Sequence, residues 1–230
     1  MLSKKMKWSL YTLFLALPVL AEGVRAQEKS TDAAQNIAYT KVITERAGKI
    51  VATIGISDSS KALKVRDLIA EQYRSLNTIH DGKKNAIKML KEDKSKTKAS
   101  LDSAILQLEN TAALSLQTLH KSYLKKLSKE VSKKQVEDIK NGMTYGVLPI
   151  TYRGYGEMLP QLTKKQKKQI LSYLTEAREL AMDAESSEKK HAWFGKYKGR
   201  INNYLSAQGI DMKKASTEWE QRIRTAQAKQ

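Results

Sequence analysis

The chain contains no cysteine among its 230 residues, and only two phenylalanines and three prolines. Without cysteine, a disulfide framework, a thiolate metal site and a lipid-anchored cysteine are all excluded. Scarce phenylalanine and proline, together with plentiful lysine, alanine, leucine, serine and glutamine, disfavour a β-sheet protein. The composition therefore predicts an all-α protein.

Long apolar runs are missing too, apart from one stretch close to the N terminus. Three lysines within residues 4–7 precede an apolar run at residues 10–20, and residues 24–26 supply a signal-peptidase site. This pattern is typical of a secretory signal peptide and is short for a membrane span. We predict a signal peptide at residues 1–26 and a single helical domain at residues 27–230. The mature protein would then be periplasmic or extracellular and would lack a membrane span.

Acidic residues are too few to balance the basic ones, and the formal net charge is +18. The predicted leader carries four basic residues and one acidic residue, so the mature chain keeps 18 − 3 = +15. Such an excess favours an anionic partner, or it simply keeps the protein soluble. Secretion makes nucleic acid an unexpected partner, which leaves an anionic glycan or a membrane surface.

Apolar residues recur at helical spacing along two long stretches joined by a polar turn. One seam runs from Ala62 to Leu90, the other from Leu101 to Tyr123, and the turn lies at residues 91–100. Helices of near-equal length joined in this way predict a long antiparallel helical hairpin. Capping-box patterns beginning at Ser132 and Thr163 predict the starts of two further helices.

The segment at residues 141–160 is the least helical part of the mature chain because it holds four glycines and two prolines. It also holds Tyr145, Tyr152 and Tyr155. We predict a Gly/Tyr-rich irregular connector, which is either a short extended segment or a helix broken by turns. Its tyrosines are candidates for ligand contact, or they allow helices to cross closely. The predicted architecture is thus a helical bundle with a long hairpin and this connector.

Aromatic, basic and amide side chains alternate at residues 190–205. At 100° per residue, Trp193, Tyr197, Arg200 and Tyr204 fall on one helix face, beside an apolar stripe that we expect to be buried. Gly195 indicates close approach by a backbone or a ligand, and Gly199 does the same. The rings either line a site for a planar or sugar ligand or belong to the core. The candidate ligand-binding residues are Trp193, Tyr197, Arg200, Asn203, Tyr204, Tyr145, Tyr152 and Tyr155.

Motifs of catalysis and metal binding are missing from the sequence. We find no nucleophile elbow, P-loop, dinucleotide fingerprint or zinc motif, and we predict neither a metal nor a cofactor. His80 and His120 lie on or beside the hairpin seams and are expected to be satisfied interfacial histidines. Glu179 and Asp183 share a helix face and are expected to pair with nearby lysines.

Several strings resemble a family of secreted bacterial proteins, the domain of unknown function numbered 3826. They are ARELAMDAESSEKKHAWFGKYKGRINNYL, GMTYGV followed by ITY, and QYRSLNTIHD. The resemblance extends from about Tyr39 to Leu205 and implies a sugar-binding protein, with no established reaction or catalytic residue. A looser likeness to periplasmic helical-hairpin chaperones rests on the apolar-Ser/Thr-x-x-Gln helix starts.

Three functions therefore remain open at this point. The first is a secreted, non-catalytic carbohydrate-binding protein that prefers anionic glycans, with Arg200 or Lys196 on the acidic group. The second is a periplasmic chaperone-like protein whose long amphipathic helices hold unfolded clients. The third is a glycan-active enzyme that uses Glu157, Asp183 or His191 as an acid or base.

Export provides the first test. If the leader is cleaved where the sequence indicates, N-terminal sequencing of protein from the periplasm or the medium should begin at or near Gln27. Full-length protein found in the cytoplasm would contradict the secretory assignment.

Overall fold

The structure, a computed structural model, describes the backbone of residues 19–228 and the side chains of residues 34–228. Over that range it contains eight helices and no strand, which confirms the all-α prediction. The chain divides into two compact units, Met1–Lys41 and Val42–Gln230. Residues 1–18 of the predicted signal peptide lie outside the described residues, so its cleavage remains a prediction.

The eight helices follow one another along the chain with short connections. Their bounds are α1 Val19–Ala52, α2 Ser59–Glu92, α3 Lys98–Glu130, α4 Lys133–Met143, α5 Val147–Met158, α6 Lys164–Met182, α7 Ser187–Ala207 and α8 Met212–Gln227.

Helices α2 and α3 pack together as the predicted hairpin. They contain 34 and 33 residues, so each is roughly 50 Å long at 1.5 Å per residue. The side chain of Asp58 caps α2 by accepting from the backbone N–H of Lys61, and Thr97 caps α3 by accepting from that of Ser100. Gly82 does not interrupt α2, because a single glycine costs only about 1 kcal/mol in a helix.

Of the two conformations left open for residues 141–160, the structure has the helix broken by turns. Only residues 144–146 and 159–163 are irregular, and residues 147–158 form α5. The break comes at Tyr145 and Gly146, which have φ values of 58° and 66°. Pro149 is tolerated because it lies in the first turn of α5, where the backbone N–H has no intrahelical partner.

Both capping boxes are present. Ser132 and Gln135 bond reciprocally at the start of α4, and Thr163 and Gln166 do so at the start of α6. The Gln135 amide also donates to the carbonyl oxygen of Ile54 at 3.1 Å, which ties α4 to the segment after α1. A sequence-local motif thus also makes a contact across 81 residues.

One hydrophobic cluster joins α5, α6, α7 and α8. The apolar stripe predicted on α7 is its centre, since Phe194, Ile201 and Leu205 are at most 1% exposed. Its members from α6 are spaced three or four residues apart, as an inward helix face requires. They are Ile170, Leu174, Ala177 and Ala181.

The glycines of α7 do not lie against another helix. A Cβ placed on Gly195 or Gly199 would meet nothing within 4 Å, so neither glycine allows close approach by another part of the chain. Close approach occurs instead at Gly142 in α4, where a Cβ would lie 2.8 Å from a methyl carbon of the buried Ile50. Of the two roles predicted for Gly195 and Gly199, close approach by another backbone is wrong, because helix periodicity does not show which positions face another helix. Close approach by a ligand stays a prediction.

These glycines provide a matched pair of stability tests. Gly142→Ala should lower the free energy of unfolding by roughly 1–3 kcal/mol, because the new methyl group overlaps a β-branched side chain that cannot move aside. Gly195→Ala should raise it by about 0.5–1 kcal/mol, because only backbone entropy changes in open space. Urea denaturation measures both, and equal effects at the two sites would contradict the packing described here.

Candidate functional site

A groove of about 600 Å³ lies among α2, α3, α6 and α7. Its walls are mostly apolar, and Trp193 from α7 stands half-buried at one side. The helical spacing of residues 113, 116, 117 and 120 places one face of α3 along the groove. The apolar lining residues are Ala113, Leu116, Leu180, Ala184 and Trp193.

The polar groups of the groove come from α2, α3, α6 and the residue that follows α6. They are His80, Gln117, His120, Lys121, Glu179 and Asp183. Three of the six, His120, Glu179 and Asp183, belong to one network of ion pairs.

His120 is held between two carboxylates of α6. Its Nδ1 lies 2.8 Å from Oδ2 of Asp183, and its Nε2 lies 3.3 Å from Oε2 of Glu179. The angle at Nδ1 departs from that of a hydrogen bond, so the contact with Asp183 is an ion pair. The carboxylates of Asp183, which has the larger effect, and Glu179 stabilise the imidazolium form. Together they outweigh burial and raise the pKa of His120 to about 9. His120 is therefore a cation at neutral pH.

Glu179 connects His120 to two buried cations. Its Oε1 lies 2.9 Å from Nζ of Lys140 and 3.0 Å from Nη2 of Arg178. Burial raises the pKa of Glu179, but the hydrogen bonds from His120 and Lys140 and the nearby positive charges outweigh it and hold the pKa at about 2. Both cations also bond Glu137. The network thus balances three cations against three carboxylates while His120 keeps its proton.

A second buried lysine fixes the start of α7. Nζ of Lys190 donates to the carbonyl oxygens of Ala181 and Met182, at 2.9 and 3.0 Å, and so satisfies the C-terminal end of α6. Burial lowers the pKa of Lys190 to about 8, and Asp183 partly opposes that shift. Trp193 follows three residues later, so this contact sets the ring's position at the groove.

His80 joins α2 to the same end of α6. Its Nε2 lies 2.8 Å from the backbone carbonyl oxygen of Asp183. A carbonyl oxygen only accepts, so Nε2 carries a proton, and in the tautomer with that single proton Nδ1 is an acceptor. The nearest carboxylate oxygen to Nδ1, from Glu185, is 3.8 Å away.

The predicted ring face of α7 is mostly packed against α6. Tyr197 is only 3% exposed. The Arg200 guanidinium lies over the rings of Tyr173 and Tyr197, at 4.8 and 4.6 Å from their centroids, and reaches Glu176 at 3.4 Å. Tyr204 meets Tyr173 edge to face. Asn203 is exposed, and of this predicted set only Trp193 lines the groove.

The connector tyrosines lie on the other flank of α7. Tyr145 stacks on His191 with centroids 5.3 Å apart, and the Tyr155 hydroxyl donates to Oδ1 of Asn202 at 2.6 Å. Residues 191 and 202 are about 160–180° around the helix from Trp193 at 100° per residue. Tyr155 is buried, and Tyr152 shares a separate pocket of about 340 Å³ with it. The structure therefore does not bring these tyrosines to the Trp193 groove.

Sequence reasoning missed Gln117, Lys121, Leu116 and Leu180 as groove residues. Leu116 and His120 were identified on one seam of α3, and Glu179 and Asp183 on one face of α6. No sequence signal shows that these two faces meet beside Trp193, 73 residues after His120.

A family model with the description "Protein of unknown function (DUF3826)" matches residues 40–225. The chain belongs to this family. The match confirms the family resemblance that the sequence motifs in α2, α5 and α7 indicated. The matched region also extends beyond Leu205 into α8. A search of curated proteins found no match.

Two further findings concern the part of this DUF3826 chain that the structure describes. Within residues 19–228, no helix is both long and apolar enough to cross a bilayer. Over the same part of the chain, no three His, Asp or Glu side chains are grouped so that they could hold a metal ion.

The His120 ion pairs predict a pH-dependent stability. The pKa of His120 is higher in the folded protein than the ordinary 6.5, so the stabilisation is complete below about pH 6.5 and is lost as the pH rises to about 9. Over that window the wild type should lose up to about 3 kcal/mol relative to His120→Gln. Urea denaturation across the pH range measures this difference.

The comparison with the variant is needed because Lys190 acts with the opposite sign. Its folded pKa of about 8 is below that of an unfolded lysine, so it favours folding increasingly as the pH rises above 8. Both proteins contain Lys190, and its effect cancels in the difference. Parallel stability curves for wild type and His120→Gln would contradict the network as described.

Proposed function

We propose that the protein binds a carbohydrate in the groove, with the Trp193 ring as the surface on which the sugar stacks. The supporting observation is the combination of this half-buried ring with two buried acceptors that lack a donor, Nδ1 of His80 and Oδ1 of Asp183. A pyranose has apolar C–H faces for the ring and hydroxyl groups that donate hydrogen bonds.

The unpaired acceptors are informative because such atoms are costly. A buried polar atom without a partner costs about 1–3 kcal/mol, and a ligand hydroxyl that donates to it recovers that energy. Asp183 and His80 adjoin one another, since the His80 ring bonds the Asp183 carbonyl oxygen. Both residues line the groove, so the proposal places the hydroxyl groups of the sugar beside them.

A preference for anionic glycans would depend on other residues than the sequence indicated. Arg200 is engaged with two rings and Glu176, away from the groove. Lys121 lines the groove and is exposed, and Nζ of Lys196 lies 5.2 Å from the centre of the Trp193 ring. Lys121 has no ion pair among the described contacts and is available to an acidic group on the sugar, whereas the Lys196 ammonium is engaged over the Trp193 ring.

The same geometry favours binding over acid–base catalysis. Both ring nitrogens of His120 face carboxylates, and its proton is retained until about pH 9, so it is a poor base at neutral pH. Glu179, with a pKa near 2, is an equally poor proton donor. We therefore assign these residues to holding the groove in shape.

A glycan array on the wild type, followed by calorimetry on the best ligand, tests the proposal. Trp193→Ala should weaken binding to neutral and acidic sugars alike by roughly 1–2 kcal/mol, because the stacking surface is lost. Trp219→Ala is the matched control, since this half-buried tryptophan lies on α8 and does not line the groove. Melting temperatures of both variants separate lost binding from lost folding.

A lysine pair tests the anionic preference. Lys121→Gln should weaken only acidic sugars, and the loss should shrink as salt rises. Lys125→Gln removes the same charge from an exposed position one turn further along α3 and should have little effect. If no glycan binds, or if Trp193→Ala binds as well as Trp219→Ala, the proposal is wrong.

A further inference from the structure

The distal arm, which we define as residues 81–111, is the part of the hairpin beyond the bundle. None of its residues is buried, and the nearest buried positions on the two helices are Leu76 and Ala112. Every described hydrogen bond or ion pair of the arm stays within α2, α3 and their turn. The arm therefore leaves the outer faces of its two helices open to a partner.

Lysines are concentrated at the end of the arm. Residues 83–98 contain seven lysines and two acidic residues, a net charge of 7 − 2 = +5. Lys88 pairs with Glu92, and Lys96 pairs with Asp93. Four other lysines are exposed and have no ion pair among the described contacts: Lys84, Lys91, Lys94 and Lys98.

The residue types that are missing from the arm limit the class of molecule that it can bind. Residues 81–111 contain no arginine and no aromatic residue. Arginine forks provide bidentate phosphate recognition, and aromatic rings provide base stacking, so neither device of nucleic-acid binding is present. Lysine ammonium groups are strongly hydrated point charges, which suit a diffuse anionic surface such as lipid headgroups.

We propose that the distal arm binds an anionic phospholipid surface peripherally, through Lys84, Lys91, Lys94 and Lys98. Attraction of this kind is reversible and salt-dependent, because exposed charges are screened within about 8 Å at physiological ionic strength. The proposal does not depend on carbohydrate binding, since the four lysines lie outside the groove.

Vesicle co-sedimentation tests the proposal with two charge-matched variants. The arm variant replaces Lys84, Lys91, Lys94 and Lys98 by glutamine. The control variant replaces four exposed lysines at the start of α6 by glutamine: Lys164, Lys165, Lys167 and Lys168. Both lose four positive charges and keep the N-terminal segment of the wild type, so they differ only in where the charge is lost.

The wild type should bind vesicles of equal parts phosphatidylglycerol and phosphatidylcholine at about 0.05 M salt and dissociate at about 0.5 M. It should not bind phosphatidylcholine alone. The arm variant should partition roughly a hundredfold more weakly, because each lysine near an anionic surface contributes about a fivefold factor before screening. The control variant should stay within about threefold of the wild type, and both should melt like the wild type.

Three results would overturn the proposal. The first is a wild type that does not bind the anionic vesicles. The second is an equal loss of binding in both variants, which would mean that net charge acts rather than the arm. The third is tighter binding of duplex DNA than of vesicles, lost in the arm variant, which would make the arm a nucleic-acid surface.

Discussion

The stability of the structure at the C-terminal end of α6 depends on the pairing of buried charges. Arg178 is 2% exposed and Lys140 is 7% exposed, and such cations are tolerated in an interior only when carboxylates pair with them. Glu179 provides that pairing and passes the connection to His120, so α3, α4 and α6 meet at one point. Removing any one member would leave an uncompensated charge below the groove. The network aligns the helices that carry most of the apolar walls, and Lys190 fixes α7 with the Trp193 ring against the end of α6.

What the sequence could predict was local. Capping boxes at Ser132 and Thr163, the hairpin and the buried stripe with Phe194 all depend on residues within one or two helical turns. The candidate site could not be predicted from such local patterns, because the residues that pack against each side of α7 come from helices that are distant in the sequence. Tyr197 lies only 40° around the helix from Trp193, yet Tyr197 is buried against α6, whereas Trp193 lines the groove.

The connector at residues 141–160 is a second feature that local sequence patterns predicted only in part. Its glycines and prolines predicted irregular backbone, but the turn at Tyr145 and Gly146 is short, and α5 includes Pro149 in its first turn. Tyr152 and Tyr155 then lie on α5, and Tyr155 bonds Asn202 on the flank of α7 away from Trp193. Composition indicated the break and left two conformations open, and packing against α6 and α8 supports the helix that follows the turn.

The order in which helices pair has a consequence for how the chain reaches this structure. Most helix contacts join neighbours in sequence, above all α2 with α3 and α6 with α7, and such low contact order is typical of fast folding. Each hairpin can form without the other. The His120–Asp183 contact spans 63 residues and requires both hairpins, so we expect it to form late. A partly folded chain would then have most of its helices and no groove.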